Sequence, residues 1–367
     1  MRESLPAADL PFAEFAKRLK KLQSFQKRQK LDAVLILTEV NLYYFTGLTC
    51  DNGVLMAVKG QEPVFYTDFR YIVMAKRKAP GLKSTLIWPA REESQALADK
   101  GKGWRRIGYE GKISASRFLS LKAAFPDAEW VDVSGGIMEM RSVKSPAEQR
   151  VMRRAIARND DLFGMLLGQV AFGQTEWSMR AFVRRACDIL GQGEAFDTIA
   201  CVGANAAECH HEPDETVLRK GQPLLVDLGV KVDHYCSDMT RCVVFGRPTK
   251  LYTEIHRIVH EANRAAIKAI KPGVPCCEID AVARRVIAKA GYGDAFGHSL
   301  GHSVGLEIHE MPAFAVTCKT PLKPGMLITV EPGIYLPNRL GVRLEDMILV
   351  TRTGCEVLSQ TPHDLFL

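Results

Sequence analysis

The hydrophobic positions in the first part of the chain fall into short runs of strand length. Three runs follow one another between residues 31 and 75: LDAVLIL, GVLMAV and PVFYT. A helical pattern precedes them, another follows at 70 to 78, and similar runs recur to about residue 132. This alternation predicts a compact α/β domain over residues 1–140.

Beyond residue 140 the pattern changes to long amphipathic helices. Lys144-Ser145-Pro146 places a proline at a helix start, where its missing N–H is not needed. Because 367 residues exceed the roughly 250–300 that one core usually supports, we expect a second domain over residues 141–367. Its helices are predicted near 147–170, 175–191, 251–271 and 277–291.

The second domain contains an internal repeat. The segments GQPLLVDLG (221–229) and GMLITVEPG (325–333) match in their glycines and in the position of one acid. Each copy reads as two helices followed by a strand hairpin, so we expect two pseudo-symmetric halves whose strands form one curved sheet. The cleft between such halves is a natural place for a functional site.

The first copy places two acids on its hairpin. A turn near Val232 and Asp233 would set Asp227 directly opposite Asp238. Opposed residues have Cβ atoms roughly 4.5–5.5 Å apart, and like charges there are destabilising unless something neutralises them. The acids could instead be solubilising residues of an edge strand, but the apolar residues around them argue against this alternative.

The second copy repeats the arrangement, because a turn centred on Asn338 would set Glu331 opposite Glu345. Four carboxylates with one imidazole suit two divalent cations such as Mn²⁺, Co²⁺ or Zn²⁺. Such ions lower the pKa of a bridging water towards ~7 and polarise a carbonyl, which predicts amide hydrolysis. Thr240 and Arg343, each close in sequence to one of the acids, could orient the carboxylates or be ordinary strand residues.

The imidazole is expected from His302, which lies between Gly301 and Gly305. The alternative for His302 is a histidine buried in the core. His256 and His260 also have a spacing that can bind a metal, but the sequence offers them no third ligand. We expect these two on a solvated helix face.

Three further histidines are candidates for the substrate pocket. His210 and His309 are each followed by a proline three residues later, and His298 precedes His302 in GHSLGH. These side chains could bind a substrate carbonyl or carboxylate, or carry protons to a leaving amine. His211 could take the place of His210.

Composition and charge limit the remaining classes. The net charge of +7 includes basic clusters at 17–30 and 144–158 that are typical of solvated helix faces, without a nucleic-acid motif. The ten cysteines form no CxxC pair and are expected to be reduced.

No apolar run approaches the ~20 residues that span a bilayer, and MRESLPAADLPF lacks signal-peptide features. We expect a cytoplasmic protein that binds neither nucleic acid nor membrane.

Several segments resemble those of a known family. DLGVKVDHYCSDMTR, GHSVGLEIHE, EPGIY and RLEDMILVT are similar to the metal-site segments of the metallopeptidases that include Xaa-Pro aminopeptidase and Xaa-Pro dipeptidase (prolidase). NLYYFTGL and PVFYTDFRY resemble the amino-terminal domain of the proline-specific members and of creatinase. Together these matches cover nearly the whole chain.

The resemblance implies an α/β two-domain fold with a smaller α/β amino-terminal domain and a pseudo-symmetric pita-bread α+β catalytic domain. It implies that Asp238 and Glu345 bridge the two metal ions, often Mn²⁺, and that Glu331 acts as general base. Homodimers are common among such proteins. The implied metal ligands are Asp227, Asp238, His302, Glu331 and Glu345, and the implied pocket histidines are His210, His298 and His309.

The implied reaction is hydrolysis of the bond between an N-terminal residue and a following proline, whose fixed ring a pocket can select. We expect an Xaa-Pro aminopeptidase acting on peptides with proline at the second position, with Xaa-Pro dipeptidase as the alternative. Creatinase and the non-catalytic binding proteins of this fold lack metal ligands, and the complete set here argues against both. Ser303 and the pair Glu208-Cys209 depart from many relatives, which leaves the pocket shape open.

Overall fold

The computed structural model describes residues 10–86 and 93–367. The chain divides into two compact units, Met1–Met140 and Arg141–Leu367. The first nine residues, part of the segment expected to lack a signal peptide, lie outside the described residues. Within the described residues, no helix is both long enough and apolar enough to cross a membrane.

The first unit contains a six-stranded mixed sheet made of β1 (Ala33–Ile36), β2 (Gly53–Val58), β3 (Val64–Thr67), β4 (Lys83–Leu86), β5 (Arg106–Tyr109) and β6 (Glu129–Asp132). The strand order is β4-β3-β2-β1-β5-β6. The three predicted strand runs form β1, β2 and β3, and β1 is fully buried because it pairs on both sides. The helices of this part of the chain are α1 (Phe12–Arg28), α2 (Glu39–Thr46), α3 (Phe69–Lys78), α4 (Glu93–Lys100), α5 (Ala115–Ala124) and α6 (Ser134–Ser142).

The four long helices of the second unit form where the sequence predicts them: α7 (Pro146–Leu167), α8 (Glu176–Leu190), α9 (Lys250–Ala269) and α10 (Cys276–Lys289). The start of α7 is fixed by a capping box. The Ser145 hydroxyl accepts a hydrogen bond from Glu148 N, and the Glu148 carboxylate accepts one from Ser145 N. Pro146 occupies the first turn, where it donates no hydrogen bond.

The strands of the second unit form two larger sheets and two ribbons. The sheets have the orders β19-β11-β8-β7 and β13-β12-β14-β17-β18, and the ribbons are β9-β10 and β15-β16. The strands are β7 (Ile199–Val202), β8 (Pro223–Leu228), β9 (Lys231–Val232), β10 (Tyr235–Cys236), β11 (Met239–Val244), β12 (Gly301–Ser303), β13 (Glu310–Phe314), β14 (Leu327–Val330), β15 (Gly333–Leu336), β16 (Leu340–Arg343), β17 (Asp346–Val350), β18 (Cys355–Val357) and β19 (Leu365–Phe366).

The prediction of a single curved sheet is therefore wrong, because the strands of the two halves form separate sheets. Separate backbone hydrogen bonds link the two halves, among them Glu345 N to Thr240 O at 3.2 Å and Cys236 N to Gly305 O at 2.8 Å, and these bonds do not form a continuous ladder. Pro332, which has no N–H, interrupts the second hairpin between β14 and β15.

The second unit has two buried hydrophobic clusters, one of which includes residues from the strands of both larger sheets. Helices α7 and α8 cover the four-stranded sheet, with Val183 of α8 and Val226 of β8 in the same buried cluster. Helices α9 and α10 cover the five-stranded sheet, with Val259, Ile279 and Ile328 in a second cluster. The internal repeat thus appears as two helix pairs that each cover a sheet.

Candidate metal centre

The first acidic hairpin has a different register from the one predicted. Thr240 of β11, not Asp238, lies directly opposite Asp227 of β8. The turn falls at Asp233 and His234, whose positive φ values of 48° and 68° suit a two-residue hairpin turn. The sequence indicated a turn one position earlier, and such a shift moves every cross-strand partner. Asp238 is therefore a diagonal neighbour of Asp227, and both line one cavity.

The second acidic hairpin has the predicted register. The ladders β14-β17 and β15-β16 share one alignment, which sets Glu331 opposite Glu345 in the gap between them. Asn338 lies at the centre of the turn with a positive φ of 59°, a conformation that asparagine adopts more readily than most residues. This prediction is confirmed.

The His302 side chain lies close to acids of both hairpins. Its Nε2 lies 3.4 Å from Glu331 Oε1 and 3.6 Å from Asp238 Oδ2. Donor atoms of Asp238, His302 and Glu345 all lie within 4.8 Å of one another. The glycine before His302 allows this approach, because a Cβ there would lie 2.0 Å from a carbonyl oxygen of β14.

Burial raises the pKa of three acids in this cluster. The pKa values of Asp238 and Glu345 lie well above their usual range because both acids are buried and because neighbouring carboxylates repel their charge. Burial also raises the pKa of Glu331 to about 8, against the opposing charge of Arg343. Burial lowers the pKa of His302 to about 4, so its imidazole is neutral near pH 7 and offsets none of the acids.

Two buried carboxylate oxygens indicate what the cluster can bind. Within the described part of the chain, Asp227 Oδ1 and Glu345 Oε1 have no hydrogen-bond partner. The other oxygens are held, since Arg343 Nη2 donates to Asp227 Oδ2 at 2.6 Å and Thr240 Oγ1 donates to Glu345 Oε2 at 2.8 Å. Carboxylate oxygens with one neutral imidazole fit divalent cations, whose charge would remove the repulsion between the acids.

A buried hydrogen-bond network holds these side chains. Arg343 Nε donates to Thr240 Oγ1 at 2.9 Å, and Arg343 Nη1 donates to Tyr335 Oη at 3.1 Å. The sequence left open whether Thr240 and Arg343 orient the nearby carboxylates or are ordinary strand residues. In the structure each bonds an acid of the other hairpin: Thr240 bonds Glu345, and Arg343 bonds Asp227. Tyr335 was not predicted from the sequence, where its only signal is its position in the EPGIY segment.

The pocket histidines line the same cavity as the acids. His298 Nε2 lies 2.9 Å from Tyr335 Oη, and burial lowers the pKa of His298 to about 4. The ring centre of His309 lies 4.4 Å from that of His302, and burial lowers the pKa of His309 as well. Neutral rings at these positions can accept or donate hydrogen bonds to a peptide group.

His210 and His211 both line the cavity, but His211 is engaged elsewhere. His211 Nε2 lies 2.8 Å from Glu176 Oε2, and its Nδ1 lies 3.2 Å from Glu208 Oε2. Burial acts to lower the pKa of His211, but its hydrogen bonds to Glu176 and Glu208 outweigh burial and raise it. Because both ring nitrogens of His211 have partners, His210 is the better candidate for contact with a substrate.

The expectation of a solvated face is wrong for His256. This side chain is buried, and its Nε2 lies 3.1 Å from His363 O. His363 also lies beside His260, with 4.9 Å between the ring centres. His256 is buried because the C-terminal strand β19 pairs with β11 and covers this part of α9.

The cavity has a volume of about 560 Å³. Apart from Thr240, which lies behind the carboxylates, every predicted site residue lines it. The rest of the wall was not predicted from the sequence. Most of those residues come from α8 and from the segment around β7, which contain no motif, and Ile308 is an apolar residue of GHSVGLEIHE, a segment singled out for its histidines. Five of these missed residues are Arg180, Phe196, Asp197, Ile199 and Ile308.

Comparison with known proteins agrees with this geometry. The chain matches metallopeptidase family M24 over residues 150–352 and the creatinase/prolidase N-terminal domain over residues 18–143. It is 35% identical to the Xaa-Pro dipeptidase of Pyrococcus furiosus over 351 residues, covering 95% of this chain and 99% of that protein.

Two solved structures show the same two-domain architecture. The Xaa-Pro dipeptidase from Bacillus anthracis superposes with a TM-score of 0.91 at 34% identity, covering 96% of this chain and 100% of that one. The X-Pro aminopeptidase from Thermotoga maritima gives a TM-score of 0.86 at 32% identity, covering 93% and 99%. The chain therefore belongs to metallopeptidase family M24 and combines a creatinase/prolidase amino-terminal domain with a pita-bread domain.

Proposed function

We propose that this protein is a metal-dependent Xaa-Pro dipeptidase that hydrolyses dipeptides with a carboxyl-terminal proline. The observation that carries the hydrolase assignment is the convergence of Asp238, His302 and Glu345 in one cavity. The preference for dipeptides departs from the aminopeptidase predicted from the sequence. Its support is the 35% identity with an Xaa-Pro dipeptidase along 95% of the chain.

The proposed centre contains two divalent ions, with Mn²⁺ as first choice and Co²⁺ or Zn²⁺ as alternatives. When bound, such ions polarise a carbonyl and make water a better nucleophile at neutral pH. Asp238 and Glu345 would hold the ions from different hairpins, since their donor atoms lie within 4.8 Å of each other. The full proposed ligand set is Asp227, Asp238, His302, Glu331 and Glu345.

Glu331 is the proposed general base. Burial raises its pKa to about 8 in the metal-free protein, which supports a carboxyl group that can hold a proton in this position. In hydrolysis it accepts a proton from the attacking water and returns it to the proline nitrogen as the peptide bond breaks. The neutral rings of His298 and His309, with His210, are proposed to bind the peptide carbonyl and to assist this proton transfer.

Selection of proline is proposed to depend on the apolar part of the wall. Phe196, Ile199 and Ile308 line the same cavity as the acids. The pyrrolidine ring presents an apolar surface, and the tertiary amide brings no N–H that would need a partner. An apolar pocket can therefore accept the ring without leaving a buried donor unsatisfied.

Xaa-Pro aminopeptidase is the second candidate, favoured by the similarity to the Thermotoga maritima structure. The test incubates the Mn²⁺-loaded protein with an equal mixture of Ala-Pro and Ala-Pro-Ala, follows the products by mass spectrometry and uses Glu331→Ala as control. Loss of Ala-Pro with the unmutated protein supports the dipeptidase. Loss of Ala-Pro-Ala alone supports the aminopeptidase, and cleavage of neither peptide contradicts both.

Further parts of the proposal concern the whole protein. We assign residues 1–140 to the amino-terminal domain and 141–367 to the catalytic domain, in line with the two compact units. The proposed state is a homodimer, which is common in the resembling proteins. A cytoplasmic location is supported by the ten free cysteines, which suit a reducing compartment. The partner is a small peptide, without nucleic acid or membrane.

A further inference from the structure

The cavity wall carries an arginine that the metal centre does not use. Arg180, on α8, lines the same cavity as Asp238, His302 and Glu331. Its side chain is only 21% exposed, so most of it is enclosed by the wall. Nothing in the proposed hydrolytic mechanism requires a guanidinium at this place.

The other arginine of the wall and the histidines beside the metal centre already have partners. Arg343 donates to Asp227, Thr240 and Tyr335. His302 faces Asp238 and Glu331 as a proposed metal ligand, and His298 Nε2 lies 2.9 Å from Tyr335 Oη. Among the described residues that line the cavity, there is no lysine and no arginine besides these two. Arg180 is therefore the cation that can meet an anionic group of a ligand.

The present partner of Arg180 can be displaced. Arg180 Nη2 donates to Asp197 Oδ1 at 2.8 Å, and the Asp197 side chain is 86% exposed. An ion pair with such an exposed acid is weak, because water solvates the acid nearly as well when it leaves. A guanidinium binds a carboxylate best through two parallel hydrogen bonds, and this contact uses one.

We propose that Arg180 binds the carboxyl-terminal carboxylate of the dipeptide and that this carboxylate replaces Asp197. The inference rests on the proposed function, since a free carboxylate directly after proline distinguishes a dipeptide from a longer peptide. Until a substrate arrives, Asp197 neutralises the guanidinium. In a longer peptide the same position carries a neutral amide, which cannot replace the charge of Asp197.

The first experiment compares Ala-Pro with Ala-Pro-amide, which differs only in its neutral end. For Arg180→Met we expect the KM for Ala-Pro to rise about 10-fold or more, because a charge-assisted hydrogen bond is lost, while kcat changes by less than about twofold. The KM for the amide should not change. Asp197→Asn should lower the KM for Ala-Pro, because it removes the competing carboxylate.

Arg184→Met is the matched control. Arg184 lies on the same helix, its side chain is 76% exposed, and it pairs with Glu194 at 4.0 Å outside the cavity wall. Its kinetics with both substrates should match those of the unmutated protein. An equal effect of Arg180→Met on both substrates, or no effect on either, would overturn the proposal.

A binding measurement separates this inference from the proposed function. The reduced-bond analogue of Ala-Pro, in which CH₂ replaces the peptide carbonyl, and its carboxamide are titrated calorimetrically into the metal-loaded protein. The carboxylate form should bind about 10-fold or more tightly than the carboxamide, and Arg180→Met should remove the difference. Equal binding by the unmutated protein overturns the Arg180 subsite. Failure to cleave Ala-Pro despite this difference overturns the dipeptidase assignment alone.

Discussion

At the scale of single residues, the centre is a group of buried acids that hold protons more tightly than exposed acids do. The pKa of Glu331 is raised to about 8, and those of Asp238 and Glu345 are also raised by burial. A divalent ion has to displace these protons, so metal binding and ionisation are coupled. Without metal, Glu331 is mainly protonated below about pH 8, and rising pH removes this competing proton.

We therefore expect Mn²⁺ binding at pH 7 to release protons, and the number released to fall as the pH rises above about 8. Calorimetric titration in two buffers of different ionisation enthalpy measures this number directly. Metal affinity should increase with pH over the same range. Binding without proton release at pH 7 would contradict the assigned ionisation of Glu331.

The contact between Thr240 and Glu345 gives a second prediction. Thr240→Val keeps the shape of the side chain but removes the hydroxyl that donates to Glu345 Oε2. We expect Mn²⁺ affinity to fall about 10–100-fold, as for other groups that orient a ligand. Thr253→Val is the control, since this exposed hydroxyl bonds only within α9. Unchanged affinity in Thr240→Val would show that Glu345 needs no such support.

At the scale of elements, the hairpins decide where the acids meet. In the first hairpin, Asp233 and His234 form the turn with positive φ, which aligns Asp227 with Thr240. In the second, Asn338 alone has positive φ at the centre of the turn. Register depends on these few residues because shifting a turn changes every pair along its ladder.

His234→Val should destabilise the protein by about 1–2 kcal/mol, because a β-branched side chain is strained at a φ of 68°. His234→Gly removes the same imidazole without that strain and should be clearly more stable than the valine variant. Denaturant unfolding of both variants measures the difference. Equal stability of the two would contradict a left-handed turn residue here.

The two hairpins also show how much of the site could be predicted from the sequence. Asn338 favours a positive φ, and the residues around it predicted the correct register. A turn at residues 232–233 would place the β-branched Val232 at a position of positive φ, so the sequence did favour residues 233–234. The match of Asp227 with Asp238 was given more weight than this signal. Arg180 and Tyr335 were missed for a different reason. Packing of α8 brings Arg180 to the cavity, and packing of β15 brings Tyr335 to Arg343, and the residues around them in the sequence do not indicate either contact.

At the scale of the whole molecule, the centre needs both copies of the internal repeat. Asp227 and Asp238 belong to the first hairpin, and Glu331 and Glu345 belong to the second. His302, on β12, lies within 4 Å of acids from both hairpins. Neither half of the catalytic unit contains a complete donor set.

Substitution in either half should therefore have the same consequence. Asp238→Asn and Glu345→Gln should each lower metal-dependent activity by more than about 100-fold and reduce the metal content of the dialysed protein. The metal-free variants should be no less stable than the unmutated protein, because a buried repulsive acid has been removed. Glu261→Gln, an exposed helix acid paired with Arg257, is the control. Full metal content in either variant would exclude that residue as a ligand.

The most direct test of the account is Ala-Pro hydrolysis by one preparation at three stages: as purified, after chelation and dialysis, and after addition of Mn²⁺. The account predicts loss of activity on chelation and its return as two ions bind per chain, as measured by elemental analysis. Undiminished cleavage by protein shown to be free of metal would contradict it, and so would two bound ions per chain without any cleavage of Ala-Pro.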